Sequence, residues 1–349
     1  MSNVVSLGLP RRPGLAERQS LLLENFACNR RSPDDVFWLK ENAEILNILA
    51  TSGARLTEKA LAPYARVYEG LEERLRFFPQ YYRFLLSICL DLEDLGMAGG
   101  KGAELCRWAA DMGLVEAELS DLQRAEAHRL LARREVGTPS ADLHQRLRTF
   151  INRSDTFALP NKKVAYELTH IVFYLSDYGK LDPELDDAAI VSLEFAGLLS
   201  YLDQDIDLLA EICVAMRFAG QQPSAIWEDW IAQEMGGFVL NGSGDGRSDC
   251  YHEYLVASWW AQFADRPGFP GVPEAGGLQI CRHTGRKGPL RAMSEYMFHL
   301  GPARSADWSQ MRRGMTDAVG ADGVEILTGA EQSSDKFSAF FEGFSRADI

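Results

Sequence analysis

Apolar residues recur with a helical period along almost the whole chain, and no convincing run alternates apolar with polar positions. That constraint predicts an all-α fold. Residues 34–51 open with acids and carry a stripe of Phe37, Leu39, Ile45, Leu46, Ile48 and Leu49. Further helices are predicted over 57–75 (with Pro63 as a kink or restart), 80–95, 101–112, 121–135 behind a Ser120/Gln123 capping box, and 140–151. Asn161 caps the strongest pattern, 162–178, which ends at Gly179; 185–201, 205–219, 223–235 and 250–264 follow. Residues 267–289 hold ten Gly or Pro among 23 and read as a long irregular loop before weaker helices at 289–299, 307–319 and 335–346. About fourteen helices on short links predict antiparallel helical hairpins. We expect an N-terminal arm at 1–33, a helical domain at 34–264 with a subdivision near 136–160 left open, and C-terminal helices at 265–349 packed on that domain.

The length of 349 residues and 46% apolar content support a sizeable core without disulfides or a structural metal. Residues 1–150 carry 20 basic and 21 acidic side chains, while 151–349 carry 16 and 29. A net charge of −14, with no Lys/Arg-rich run, argues against nucleic-acid binding. The six cysteines are scattered, with no CxxC, so a zinc ribbon or thioredoxin motif is absent and a reducing cytoplasm is expected. Arg11–Arg12 is followed by an apolar stretch broken by Glu17, Arg18 and Glu24, so neither a signal peptide nor a membrane span is expected.

Three features point to chemistry. On 162–178, Val164, Leu168, Ile171 and Leu175 form one stripe, and Glu167, His170, Tyr174 and Asp177 form another at steps of three and four. A buried helix with an ionisable stripe must pair those groups or face them into a cavity. A second helix opens Asp249-Cys250-Tyr251-His252-Glu253-Tyr254 behind a glycine-rich loop (Asn241 to Gly246), and later carries Trp259 and Trp260. Between Leu181 and Glu211 lie nine carboxylates and no basic residue; Asp207 and Glu211 share one helix face. Paired carboxylates can bind a cation or divide into acid and base. The bland alternatives are a satisfied core network, an aromatic packing helix and dipole-favoured acids at a helix start. No P-loop, GxGxxG, GxSxG or HExxH occurs, and the 241–253 stretch lacks the bidentate Glu of a calcium loop.

The helical hairpins, the His-bearing helix and the glycine-aromatic loop resemble α/α toroids, the fold of terpenoid cyclases and many glycan-processing enzymes. Gln233-Glu234-Met235-Gly236-Gly237-Phe238 resembles one copy of the Gln-x-x-Asp-Gly-x-aromatic repeat of the cyclase toroids, with Gly236 in place of the Asp and the aromatic Phe238 one position early. ELTHIVFYLSDYG (167–179), DLLAEICVAMRFAG (207–220) and DCYHEYLVASWWA (249–261) are similar to a group of bacterial helical proteins with a Thr-His-x-x-Phe-Tyr-Leu-Thr/Ser-Asp-x-Gly signature. That likeness implies a toroid-like fold without a known activity, and draws attention to Thr169, His170, Tyr174, Asp177, Asp207, Glu211, Tyr251 and His252.

Two functions are carried forward. The first is an enzyme acting on a small metabolite or peptide by acid/base or metal-assisted chemistry. In it His170, His252, Asp177 and Glu211 are catalytic, and Glu167, Thr169, Tyr174, Asp207, Tyr251 and Trp259 bind substrate. The second is a non-catalytic scaffold using a concave helical face. No cofactor or metal is assigned, and a metal-free or weakly metal-bound protein is expected. The helices bearing His170, Asp207/Glu211 and His252 are expected to be neighbours around one central cavity.

Overall fold

The computed structural model describes residues 13–137, 140–242, 249–274, 276–283 and 287–347. The first half holds α1 (Leu15–Cys28), α2 (Val36–Thr51), three short helices α3 (Glu58–Leu61), α4 (Ala65–Glu69) and α5 (Leu71–Phe77), then α6 (Tyr82–Asp94), α7 (Lys101–Asp111), α8 (Asp121–Ala132) and α9 (Ala141–Ile151). The second half holds α10 (Ser154–Phe157), α11 (Lys162–Leu175), α12 (Asp187–Asp203), α13 (Ile206–Phe218), α14 (Ala225–Met235), α15 (Tyr251–Phe263), α16 (Leu290–Leu300), α17 (Trp308–Ser333) and α18 (Phe337–Ser345). None of these helices is long and apolar enough to cross a membrane.

Local chemistry explains most boundaries. Ser120 and Asn161 accept hydrogen bonds from the amides of Gln123 and Val164, and Asp205 does the same for Leu208, so α8, α11 and α13 each start on a side-chain cap worth about 1 kcal/mol. Pro63 lies in a 3-10 turn between α3 and α4, because proline has no N–H for a continuous helix. Two differences from the sequence reading stand out. Residues 15–28, expected as an arm, form a helix whose Leu22, Leu23 and Phe26 are fully buried. The 267–289 loop contains β2 (Gln279–Arg282), which pairs antiparallel with β1 (Phe238–Asn241), Phe238 opposite Arg282 and Asn241 opposite Gln279. Strands of four residues are too short to display an alternating pattern.

The packing order of the long helices positions the site. Helix α2 packs on α6, α6 on α8, α8 on α11, α11 on α13, α13 on α15, and α15 returns to α2. A second set lies between members of this circuit: α7 touches α6 and α8, α9 touches α8 and α11, α12 touches α11 and α13, and α14 touches α13 and α15. Direction follows from which ends meet. Asp207, second in α13, contacts His252, second in α15, while Phe218 at the end of α13 packs on Trp259 and Phe263 late in α15. Tyr166 early in α11 meets Asp207, and Phe173 late in α11 meets Phe218. Helices α11, α13 and α15 therefore run parallel, with their starts at one end. At the other end Phe173, Tyr178, Phe218, Trp259 and Phe263 form one aromatic cluster.

Helix α12 approaches α14 closely through Gly197. A Cβ there would lie 2.5 Å from the fully buried ring of Trp227. Gly197→Ala should destabilise the fold by about 1–3 kcal/mol through overpacking, despite alanine's better helix propensity. Urea denaturation checks this, and an unchanged or higher midpoint would contradict the α12–α14 contact.

Candidate functional site

The starts of α11, α13 and α15 bring a hydrogen-bonded cluster together. His252 Nδ1 lies 2.7 Å from Asp207 Oδ1, and the Tyr166 hydroxyl donates to Asp207 Oδ2 at 2.7 Å. One turn further along α13, Glu211 Oε2 accepts from the Thr169 hydroxyl at 2.6 Å and lies 4.0 Å from His170 Nδ1. His170 Nδ1 is 2.6 Å from the Tyr166 carbonyl oxygen. A carbonyl only accepts, so Nδ1 carries the proton and fixes the tautomer, leaving Nε2 for other partners. From α2, Glu44 places Oε1 3.9 Å from His252 Nε2 and 3.7 Å from Lys40 Nζ, while its buried Oε2 has no hydrogen-bond partner among the described residues. Both imidazoles remain about one-third exposed, at 35% and 33%, whereas Glu211 is 3% exposed.

Electrostatics divide the two carboxylates of α13. Burial alone would raise Asp207, but the hydrogen bond and charge of His252, with the Tyr166 hydroxyl, hold it below the usual carboxylate range. Burial pushes Glu211 up, and the charge of Asp207 adds to that against the opposing His170, His252 and Thr169. For His252, burial alone would depress the imidazole, yet the hydrogen bond to Asp207 and the charges of Asp207, Glu44 and Glu211 push it up to about 10. Near neutral pH the cluster therefore holds an ionised Asp207, an imidazolium at His252 and a proton-retaining tendency at Glu211.

Of the sequence-derived candidates, Thr169, His170, Asp207, Glu211 and His252 meet in this cluster, and Tyr251 lies beside Glu44, its ring 6.2 Å from that of His252. Others do not. Asp177 was expected on the His170 stripe, but α11 ends at Leu175 and Asp177 turns left-handed (φ 43°), pairing with Arg129 at 2.8 Å and Lys180 at 3.4 Å. Trp259 is 3% exposed within the aromatic cluster, because seven residues carry it about 10 Å along α15 from His252. Tyr174 keeps its ring 6.0 Å from His170 but lines a different cavity with Arg129 and Asp177. Glu167 is half-buried, with no hydrogen bond or ion pair among the described residues. Tyr166 and Glu44 were missed; Tyr166 stands three before Thr169 and four before His170, a spacing that would have found it.

The two histidines expected to share one central cavity both lie against the acids of α13, His252 at Asp207 and His170 near Glu211. Five surface cavities of about 280 to 880 Å³ have neither His170 nor His252 in their walls. Both imidazoles are about one-third exposed, so they are reachable from solvent. Residues 243–248 of the glycine loop expected beside His252 lie outside the described residues. Among the described residues, no group of three or more His, Cys, Asp or Glu is arranged to hold a metal ion.

A family match spans residues 1–347. The chain belongs to the DUF6902 family, a domain of unknown function. No curated protein and no solved structure matches it. The Thr-His and Tyr-His elements that carried the resemblance to helical bacterial proteins are those that build the cluster.

The Asp207–His252 pair has a signed pH dependence. A raised folded-state value for His252 means its stabilisation is complete below the unfolded value of about 6.5 and is lost as pH rises toward about 10. Asp207, held low, loses its contribution only as pH falls below about 4. The ring resonances of His252 in proton NMR should show no deprotonation between pH 6 and 8. The stability gap between wild type and His252→Gln should narrow from pH 6.5 to 10. A His252 titration midpoint near 6.5 would contradict the pair.

Proposed function

We propose that the circuit of α2, α6, α8, α11, α13 and α15 is the inner ring of an α/α toroid, and that the starts of its helices carry a proton-transfer enzyme site. Support for the ring comes from the return of α15 to α2 and from the parallel α11, α13 and α15. One observation carries the enzymatic reading: two carboxylates one turn apart on a buried helix are driven in opposite directions, Asp207 down and Glu211 up, each beside a partly exposed histidine. Titratable neighbours pushed apart in this way are how acid and base roles are assigned.

In this reading His252, protonated and anchored through Nδ1 by Asp207, presents Nε2–H to an oxygen of the substrate. His170, with Nδ1–H tied to the Tyr166 carbonyl, takes a substrate proton at Nε2. The charge this creates on His170 is met by Glu211, 4.0 Å from Nδ1 and poised by the Thr169 hydroxyl. The base removes a proton while the acid neutralises the negative charge appearing on oxygen, so the proton count closes within the site. The substrate class is a small metabolite or peptide with an acidic hydrogen near a carbonyl-type oxygen. The net charge of −14 argues against a nucleic-acid partner, and six cysteines with no disulfide among the described residues agree with a reducing cytoplasm. A second reading, partner binding without catalysis, draws on the exposed Phe37, Phe77 and Phe78 near the α2 and α5 ends.

Proton abstraction leaves an isotopic record whatever the identity of the substrate. In D₂O, wild-type protein incubated with a bacterial small-molecule extract should place deuterium at carbon in at least one metabolite, read by mass spectrometry. His170→Asn and His252→Gln should each slow that incorporation by about 10²–10⁴-fold. Identical isotope patterns for wild type and the double variant would overturn the reading.

A further inference from the structure

Tyr174 also borders a cavity of about 280 Å³ between α8, α9 and the end of α11. Arg129, Arg133, His144 and Asp177 contribute to its wall. Both arginine side chains are more than nine-tenths buried, at 7% and 5% exposure. Neither guanidinium is fully served by the described residues. Arg129 donates from Nε to Asp177 at 2.8 Å and lies over the Tyr178 ring, 4.2 Å from its centroid; its two terminal nitrogens have no acceptor among the described residues. Arg133 sets Nη2 2.8 Å from both Asp91 and Asp94, while its buried Nε and Nη1 have no partner among them. Unmet donors on charged, buried groups are costly, and guanidinium forks match oxyanions geometrically.

We propose that this cavity binds a small oxyanion: the phosphate or carboxylate group of a small metabolite. Arg129 and Arg133 both contribute to its wall, against the single carboxylate of Asp177, which is itself shared with Lys180 at 3.4 Å. The unengaged terminal nitrogens of Arg129 are the donors on offer, and Arg133, whose Nε and Nη1 are closed off from solvent, adds its charge behind them. Asp91 and Asp94 hold Arg133 on its Nη2 side, and Asp94 also serves Arg134 at 3.3 Å, so the acids nearby are already engaged. Clamping between Asp177 and Tyr178 preorganises Arg129, so little side-chain entropy remains to be lost on binding. Burial, with the charge of Arg148, holds His144 below its ordinary value, so it enters the wall as a neutral imidazole able to donate or accept. The inference stands apart from the proton-transfer reading, because it concerns binding at residues that take no part in that step.

Isothermal titration calorimetry on the full chain tests it, with inorganic phosphate and succinate titrated separately at ionic strength matched by sodium chloride. Saturable binding of one anion per chain is expected, and the two titrations distinguish a phosphate from a carboxylate site. Arg129→Gln should weaken it about tenfold or more. Arg129→Lys, which keeps the charge without the fork, should fall between. Because Arg129→Gln leaves Asp177 without its partner and can disturb folding, Ala132→Glu, which places a carboxylate on the cavity wall without removing a cation, serves as the second variant and should abolish binding. No saturable binding of either anion to wild type, or undiminished binding in both Arg129→Gln and Ala132→Glu, would overturn the proposal.

Discussion

Helix α13 is enclosed on every side, and placing Asp207 and Glu211 on it constrains everything around its first two turns. Ile206 and every residue from Leu208 to Met216 are buried. Two carboxylates on such a helix would cost several kcal/mol each if left without partners. The fold answers with donors from both parallel neighbours. Tyr166 and Thr169 come from α11, and His252 comes from α15. The parallel arrangement is a consequence of this: donors early in α11 and α15 reach acids early in α13 only if the three helices start at the same end. The apolar later turns then meet as the cluster of Phe173, Phe218 and Trp259.

The parts of the fold legible in the sequence were those decided locally. Caps at Ser120 and Asn161, and the break at Pro63, act within one turn, so the reading of helices from caps and periodicity survived in the structure. Helix α1 was harder because its burial depends on Trp38 and Asn42, which donate to the carbonyls of Ala27 and Phe26 from a different helix. The strand pair depends on residues about forty apart, Phe238 and Arg282, and no local pattern announces such a pairing. Within 308–333, Gly320 (φ 68°, ψ 176°) takes a non-helical conformation that only glycine adopts readily, so the first helical stretch stops at 319 where periodicity ended it, and the second stretch, to Ser333, is the part that local pattern did not announce.

The same division runs through the site. Residues Thr169, His170, Asp207, Glu211, Tyr251 and His252 sit together because helical spacing placed each on the right face, and polar groups on buried faces converge. Stripe logic failed at Asp177 and Trp259 for different reasons. At Asp177 the helix had already ended, and the chain turned the carboxylate toward Arg129. At Trp259 the face was right but the depth was wrong, two turns beyond the polar layer. Glu44 was invisible because nothing within α2 marks it; its significance comes from the return of α15 onto that helix.

Helix polarity sharpens what the acid pair does. An N-terminus carries partial positive charge, which favours the carboxylate of Asp207 in the first turn of α13 and disfavours a cation in the first turn of α15. His252 is nevertheless driven toward the imidazolium, so its charge is held against its own helix by Asp207, Glu44 and Glu211. The free energy for that comes from three different helix turns on two neighbours, α13 and α2. An imidazole driven toward the protonated form in this way, one-third open to solvent, depends on carboxylates of α13 and α2 rather than on its own segment. Loosening of α2 from α15 would remove the Glu44 contribution and leave His252 held up chiefly by Asp207, which couples the proton inventory of the site to the α2–α15 contact.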